Sequence, residues 1–338
     1  MVKSAMKRIA VIGAGSWGTA LGIVAARAGH QITFWSRNPE VVTSLNRDRV
    51  NSSYLPGAAI PDGVLASGEI GEALKDSQLV IIATPSHATR AVLLTMSGVL
   101  PEHAILVSAT KGIEIETGKR ISQLVAEVLG DLLTSRFVCL SGPSFAKEVV
   151  LQHPTAIVAA ADNADVAATV QSTLSTEYLR IYTNDDVVGT ELGGSVKNVM
   201  AIAAGMVAGL GFGSNSVAAL ITRGLAEMSR LALAEGGKLE TMMGLAGLGD
   251  LVLTCTGSLS RNRFVGQELG KGRALAEITA GMREVAEGVR TTQALRELSN
   301  RVGVEMPIAA EVYAVLYEGK TAREAATALM SRPLREEF

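Results

Sequence analysis

Aromatic side chains are scarce in this chain, 4% of its 338 residues, which leaves little material for large aromatic pockets. Cysteine is nearly absent as well. Only Cys139 and Cys255 occur, too few for a disulfide framework. Both lie in apolar stretches, FVCLSG and LVLTCTG. One bridge between them stays open, but two small buried thiols in a reducing compartment fit better. The histidines, His30, His87, His103 and His153, show no metal-ligand spacing, so no metal site is expected. With a net charge of −2 and no Lys/Arg run, the chain lacks the electrostatic footprint of a nucleic-acid binder. No apolar stretch approaches about 20 residues without glycine or polar breaks, so no membrane span is expected. The opening MVKSAMKR leads straight into a strand-like run and does not read as a leader. Asn51-Ser52-Ser53 is then a chance match to a glycosylation acceptor. A cytoplasmic protein is expected.

What is present is apolar and small: 48% hydrophobic residues, 19% charged, and 35 glycines. That balance suits a well-buried globular chain long enough for two domains. It also favours close helix and backbone packing. RIAVIGAGSWGTALGIVAARAGHQITFWSRNPE begins with a β-branched run, Ile9–Ile12, that meets Gly13-Ala14-Gly15-Ser16-Trp17-Gly18 at once. A helical stripe of Ala20, Leu21, Val24, Ala25 and Ala28 follows, stopped by Gly29, and a second strand spans Ile32–Trp35. Strand, G-x-G-x-x-G, helix and strand stand in the order that dinucleotide binding requires. Gly13, Gly15 and Gly18 permit the tight turn, the approach of pyrophosphate and helix–strand packing. Free N–H groups at the helix start bind phosphate. After the second strand an NAD binder normally carries an acid, but here Ser36, Arg37 and Asn38 precede the first carboxylate, Glu40. Serine and arginine suit a 2′-phosphate, so NADP(H) is preferred over NAD(H). If Arg37 only stacks on adenine, NAD(H) is usable too.

Strand-like runs recur at Leu79–Ala83, Ile105–Ser108, Phe137–Leu140, Ala156–Ala160 and Leu179–Tyr182, with helical patterns between them. The alternation predicts an α/β, Rossmann-like N-terminal domain with a mostly parallel sheet. Ligands of such sheets gather at the carboxyl ends of strands. Lys111 stands just past one such end, in a loop with Gly112. Gly142-Pro143-Ser144 offers bare backbone and a hydroxyl at another. Pro85 shapes a turn, and His87 reads as helix-start structure. After about residue 186 the strand signals stop and helical periodicity runs to the end. Two domains are expected, 1–186 and 187–338, the second all-α.

In the second half, ELGGSVKNVMAIAAGMVAGLGFGSNSVAALITR carries one charge, Lys197, between Glu191 and Arg223. A lysine there either snorkels to water or has a purpose, because an unpaired buried charge is costly. Asp250 is likewise the only charge from Thr241 to Ser260. Alone it reads as a helix cap. Together the two isolated, opposite charges predict a functional pair. Ser260-Arg261-Asn262 follows, and the guanidinium fork of an arginine matches phosphate oxygens. A solvated surface loop is the alternative. In RGLAEMSRLALAEGG, the stripe Leu225, Met228, Leu231 and Leu233 reads as core, with Arg223, Glu227 and Arg230 on the polar side.

VIGAGSWGTALG, SATKGIE, SGPSFAKE, LGGSVKNVMAI, AGLGDLVLTCTGSLSRNR and EGVRTT, in that order, resemble the motifs of the bacterial-type NAD(P)-dependent glycerol-3-phosphate dehydrogenases over nearly the whole chain. The resemblance implies interconversion of dihydroxyacetone phosphate and sn-glycerol 3-phosphate, supplying glycerophospholipid synthesis. It implies Lys197 as the catalytic acid/base. It places Lys111, Gly142, Ser144, Asp250, Ser260, Arg261 and Asn262 with Lys197 at the substrate. Ser16, Trp17, Arg37, Lys111, Ala146, Arg261, Val285 and Glu287 then contact the cofactor beside the motif glycines. A homodimer is also implied.

Overall fold

The computed structural model describes residues 5–282, 286–334 and 336–337. They form two compact units. One comprises the chain up to Lys111 together with Lys119–Glu191; the other comprises Gly112–Gly118 and the chain from Leu192 onward. The sequence reading sets one boundary after residue 186, whereas these units divide at 191 and exchange the short segment 112–118.

The first unit is built on ten strands: β1 Arg8–Ile12, β2 Gln31–Trp35, β3 Val50–Asn51, β4 Leu55–Ala59, β5 Leu65–Ser67, β6 Leu79–Ile82, β7 Ile105–Ser108, β8 Phe137–Ser141, β9 Thr155–Ala160 and β10 Leu179–Asn184. Eight of them form one sheet in the order β10-β9-β8-β7-β6-β1-β2-β5. All neighbours are parallel except β8 and β9. β3 and β4 make a small separate antiparallel pair. β1 and β6 are buried along almost their full length, which is why they read as unbroken apolar runs. From β1 the chain builds the sheet outward in one direction through β2, and from β6 onward in the other. The loops after Ile12 and Ile82 therefore lie at the switch point, where open α/β sheets take their ligands. The core includes Ile9, Val11, Leu21, Val24, Phe34, Ile81, Val107 and Val138. Gly22 lets helix Ser16–Arg27 settle on it, because a β-carbon there would stand 2.2 Å from the Phe34 ring.

The second unit contains helices and no strand among the described residues. Helix Val187–Gly209 enters it from Leu192 onward and is followed by Ser214–Ala234, Asp250–Thr256, Arg261–Gly270, Glu287–Arg301, Pro307–Tyr317 and Ala322–Met330, with shorter turns between. Val187–Gly209 is the one helix among the described residues long and apolar enough to cross a membrane, and most of that stretch is buried in the protein. It is a core helix, and its few polar residues, Lys197 and Asn198 among them, are buried with the rest. It meets Arg261–Gly270 backbone to backbone: a β-carbon on Gly266 would lie 1.9 Å from the Ile202 carbonyl oxygen, and one on Gly205 would lie 2.1 Å from that of Arg263. Gly209 and Gly270 repeat the contact a turn further on. Four glycines of the 35 in the chain serve this one contact.

Helix Ser214–Ala234 departs from its sequence reading. Met228 and Leu231 are buried, but Leu233 is exposed and Glu227 is only 3% exposed. The Glu227 carboxylate accepts the N–H groups of Ile308 at 2.7 Å and Ala309 at 3.3 Å, at the start of helix Pro307–Tyr317. The periodicity of one helix cannot reveal that another, far along the chain, needs its first N–H groups satisfied.

Candidate functional site

In the first unit the glycine loop is held by contacts that exclude side chains. Gly13 has φ +110, and a β-carbon there would stand 2.7 Å from the Ala83 carbonyl oxygen; one on Gly18 would stand 2.0 Å from that of Gly13. Gly15 faces open space. It precedes helix Ser16–Arg27, whose first turn has no side-chain cap and no acidic residue. Those features suit a pyrophosphate at the helix N-terminus. The Trp17 indole N–H is buried in the same turn with no protein partner, and the Ser16 hydroxyl donates to the Tyr54 carbonyl at 2.6 Å. At the end of β2, Ser36 accepts the Asn38 N–H at 3.2 Å, while Arg37 is exposed. These residues fit a dinucleotide.

Three more expected residues meet at one carbonyl. Lys111 Nζ and Ser144 Oγ each donate to the Gly142 oxygen at 3.0 Å. Gly142 has φ +134 and lies so close to Ile157 that a β-carbon would be 2.9 Å from its Cα. No other residue fits. Ala146 opens the short helix Ala146–Val150 beyond.

In the second unit Lys197 is 6% exposed and Asp250 1%. The lysine does not snorkel. Its ammonium donates to Asp250 Oδ1 at 2.6 Å and to Thr254 Oγ1 at 2.7 Å. Asp250 begins helix Asp250–Thr256, and Thr254, a turn later on the same face, donates its hydroxyl to the Asp250 carbonyl at 2.6 Å. A carboxylate and a hydroxyl offset the desolvation of the ammonium and fix its direction. Sequence reasoning missed Thr254, although its four-residue spacing from Asp250 was available as a signal. It also missed Asn198. Asn262, read as a substrate contact, donates to Asn198 Oδ1 at 2.9 Å and accepts the Gly288 N–H at 2.9 Å. Its amide therefore joins three helices. Ser260 caps helix Arg261–Gly270 by accepting the Arg263 N–H at 3.2 Å, and Arg261 stands exposed at its first position. Glu287 opens helix Glu287–Arg301; Val285 lies outside the described residues.

Both cysteines are free and buried. Burial pushes the Cys255 thiol up to about 12 and raises that of Cys139 as well, so neither is poised as a thiolate. Among the described residues no three His, Cys, Asp or Glu side chains gather as metal ligands would.

A parallel nucleotide-binding sheet, a glycine loop at its switch point and a helical unit with a buried lysine define a dinucleotide-dependent dehydrogenase. Residues 8–167 match the family described as NAD-dependent glycerol-3-phosphate dehydrogenase N-terminus, and residues 186–327 match its C-terminus. The chain belongs to the NAD-dependent glycerol-3-phosphate dehydrogenase family. It is 54% identical over 330 residues to the glycerol-3-phosphate dehydrogenase [NAD(P)+] of Koribacter versatilis, covering 97% of this chain and 98% of that one. It is 50% identical to the protein of the same name from Citrifermentans bemidjiense, over 98% and 99% of the two chains. The crystal structure of glycerol-3-phosphate dehydrogenase from Coxiella burnetii superposes with a TM-score of 0.93 at 38% identity, covering 97% of this chain and 99% of that one.

Proposed function

We propose that the chain interconverts dihydroxyacetone phosphate and sn-glycerol 3-phosphate with NADP(H), NAD(H) serving less well, and that reduction is the working direction. The observation that carries this reading is the enclosed Lys197–Asp250–Thr254 cluster. A buried ammonium held by a carboxylate and a hydroxyl is an acid kept in one place. When bound, the nicotinamide supplies or takes the hydride at the carbinol carbon. Lys197 holds its proton at the ketone oxygen, where negative charge develops, and delivers it there as general acid. Asp250 keeps the lysine charged and aimed. Arg261 grips the phosphate, and binding energy from that remote group aligns the carbonyl. Lys111, with Ser144 at the Gly142 carbonyl, serves substrate and cofactor.

Gly13, Gly15, Ser16, Trp17 and Gly18 hold the pyrophosphate, with Ala146, Arg261, Val285 and Glu287 completing the cofactor contacts. Ser36 and Arg37 take the 2′-phosphate. Ser260 and Asn262 support the substrate end. The chain works in the cytoplasm as a homodimer, and its product feeds glycerophospholipid synthesis. The test is NADPH oxidation with a panel of ketones: dihydroxyacetone phosphate is turned over, and its unphosphorylated parent and 3-keto acids are not. Turnover of a keto acid in preference to the ketone phosphate overturns the assignment.

A further inference from the structure

The chain leaves the first unit after Lys111 and rejoins it at Lys119; the segment between, Gly112–Gly118, is part of the second. That segment is closed on itself. The Gly118 N–H donates to the Glu114 carbonyl at 2.9 Å, and the Thr117 hydroxyl donates to the Glu114 carboxylate. Ile113 and Glu114 are buried. Its far end is gripped by Arg301, the last residue of helix Glu287–Arg301. Nη1 donates to the Thr117 carbonyl at 3.3 Å and Nη2 to the Gly118 carbonyl at 3.5 Å. Gly118 has φ +64, and a β-carbon there would stand 3.2 Å from Arg301 Nη1. Glycine both adopts the left-handed turn and lets the guanidinium approach. Upstream, the Thr110 hydroxyl donates to the Thr84 carbonyl at 2.9 Å. Lys111 thus stands between one anchor immediately before it and another at the end of the segment that follows.

We propose that Arg301 is a positioning residue for the reaction: by gripping the Thr117 and Gly118 carbonyls it fixes segment 112–118, and through it the backbone from which Lys111 works. The proposal rests on the assignment of Lys111 to the substrate and cofactor. A purely local role is the competing account, since a cation in the last turn of a helix also favours that helix. The two differ in what they do to kinetics.

Steady-state rates with dihydroxyacetone phosphate are compared for wild type, Arg301→Ala, Arg301→Lys, Lys111→Met and the Arg301→Ala/Lys111→Met double variant, each with a thermal melt. Arg301→Ala lowers kcat/KM by roughly 3- to 30-fold, the range seen when an indirect residue alters coupling. Arg301→Lys restores part of the loss. In the Lys111→Met background Arg301→Ala has no further effect, because the residue through which it acts is gone. Gly118→Ala reproduces the Arg301→Ala defect. Full additivity of the two changes, or an Arg301→Ala enzyme with wild-type kcat/KM, overturns the proposal while leaving the role of Lys111 intact. Undiminished turnover by Lys111→Met removes the assignment itself, and the proposal with it.

Discussion

Lys197→Met keeps the side-chain stem and deletes the charge. The expected result is a fall in kcat of at least about 100-fold, the low end for a lost general acid, with NADPH affinity unchanged. Stability should fall as well. Asp250 is 1% exposed, and stranding a buried partner typically costs roughly 3–5 kcal/mol. Asp250→Asn should lie between wild type and Lys197→Met in rate, because the lysine remains but is less firmly aimed. Rates and melts on the same preparations separate the two effects, and a Lys197→Met enzyme with full turnover refutes the acid role. At the other end of the cofactor, Arg37→Asp should invert or flatten the preference for NADPH over NADH, read as the ratio of the two kcat/KM values. Equal values for both cofactors in the wild type contradict the 2′-phosphate reading. Lys197 and Asp250 were legible in the sequence because each is a solitary charge in an apolar segment, an arrangement that burial alone disfavours. Thr254 was missed: only its four-residue spacing from Asp250 pointed to it, and a threonine in a helix breaks no pattern. Asn262 was legible as polar in a suggestive place, but its two protein partners, Asn198 and Gly288, are brought to it by tertiary packing.

The helix pair carrying Lys197 and Arg261 is set by glycines. Replacing glycine with alanine inside a solvent-facing helix gains about 1 kcal/mol of propensity. At Gly266 the sign reverses, because the added carbon would sit 1.9 Å from the Ile202 carbonyl oxygen and 2.8 Å from its carbon. Backbone cannot rotate aside as a side chain can, so the helices must part, and overpacking of this kind costs roughly 1–3 kcal/mol. Gly266→Ala should therefore lower both the melting temperature and kcat, the latter because, on the function proposed above, the two helices present the acid and the phosphate grip. An unchanged melt rules out the contact as described. Among the strands, most of those the sequence revealed are buried and strongly apolar, such as β1 and β6; β10, at the sheet edge, was legible from its alternation of buried Leu179 and Ile181 with exposed Arg180 and Tyr182. β3, β4 and β5 were missed. They are short, and Leu55-Pro56-Gly57-Ala58-Ala59 carries a proline and a glycine that read as a turn. The antiparallel pairing of β8 with β9 left no trace in composition either.

For the molecule as a whole, Glu227 links folding to pH. Burial raises its carboxyl to about 7 from 4.5, against the pull of the Ile308 and Ala309 N–H groups and of Arg230 and Arg332. The folded form therefore holds this proton at pH values where the unfolded chain has released it. The stabilisation it gives is complete below 4.5 and lost as pH rises through about 7, amounting to an order of 3 kcal/mol. Glu227→Gln, which resembles the protonated state, should match wild type near pH 5 and exceed it in melting temperature near pH 8 (both roughly chosen to bracket the transition). Identical pH profiles for the two proteins refute this. Glu127 acts in a separate window: Arg90 and Lys119 draw it down to about 2 from 4.5, so its contribution disappears only on acidification below its ordinary range.

The segment 112–118 also has a history in time. Gly118 and the arginine that grips it are 183 positions apart. At a synthesis rate of about 5–20 residues per second, the segment is made roughly 10–40 s before Arg301 exists. Over that interval the parallel sheet can assemble as far as β10 with a loop in its midst that has no second unit to join. Ile113, buried in the finished protein, belongs to that segment and so to the second unit. The link between β7 and β8 is thus the part of the first half of the chain that must wait for the second unit before its native neighbours exist.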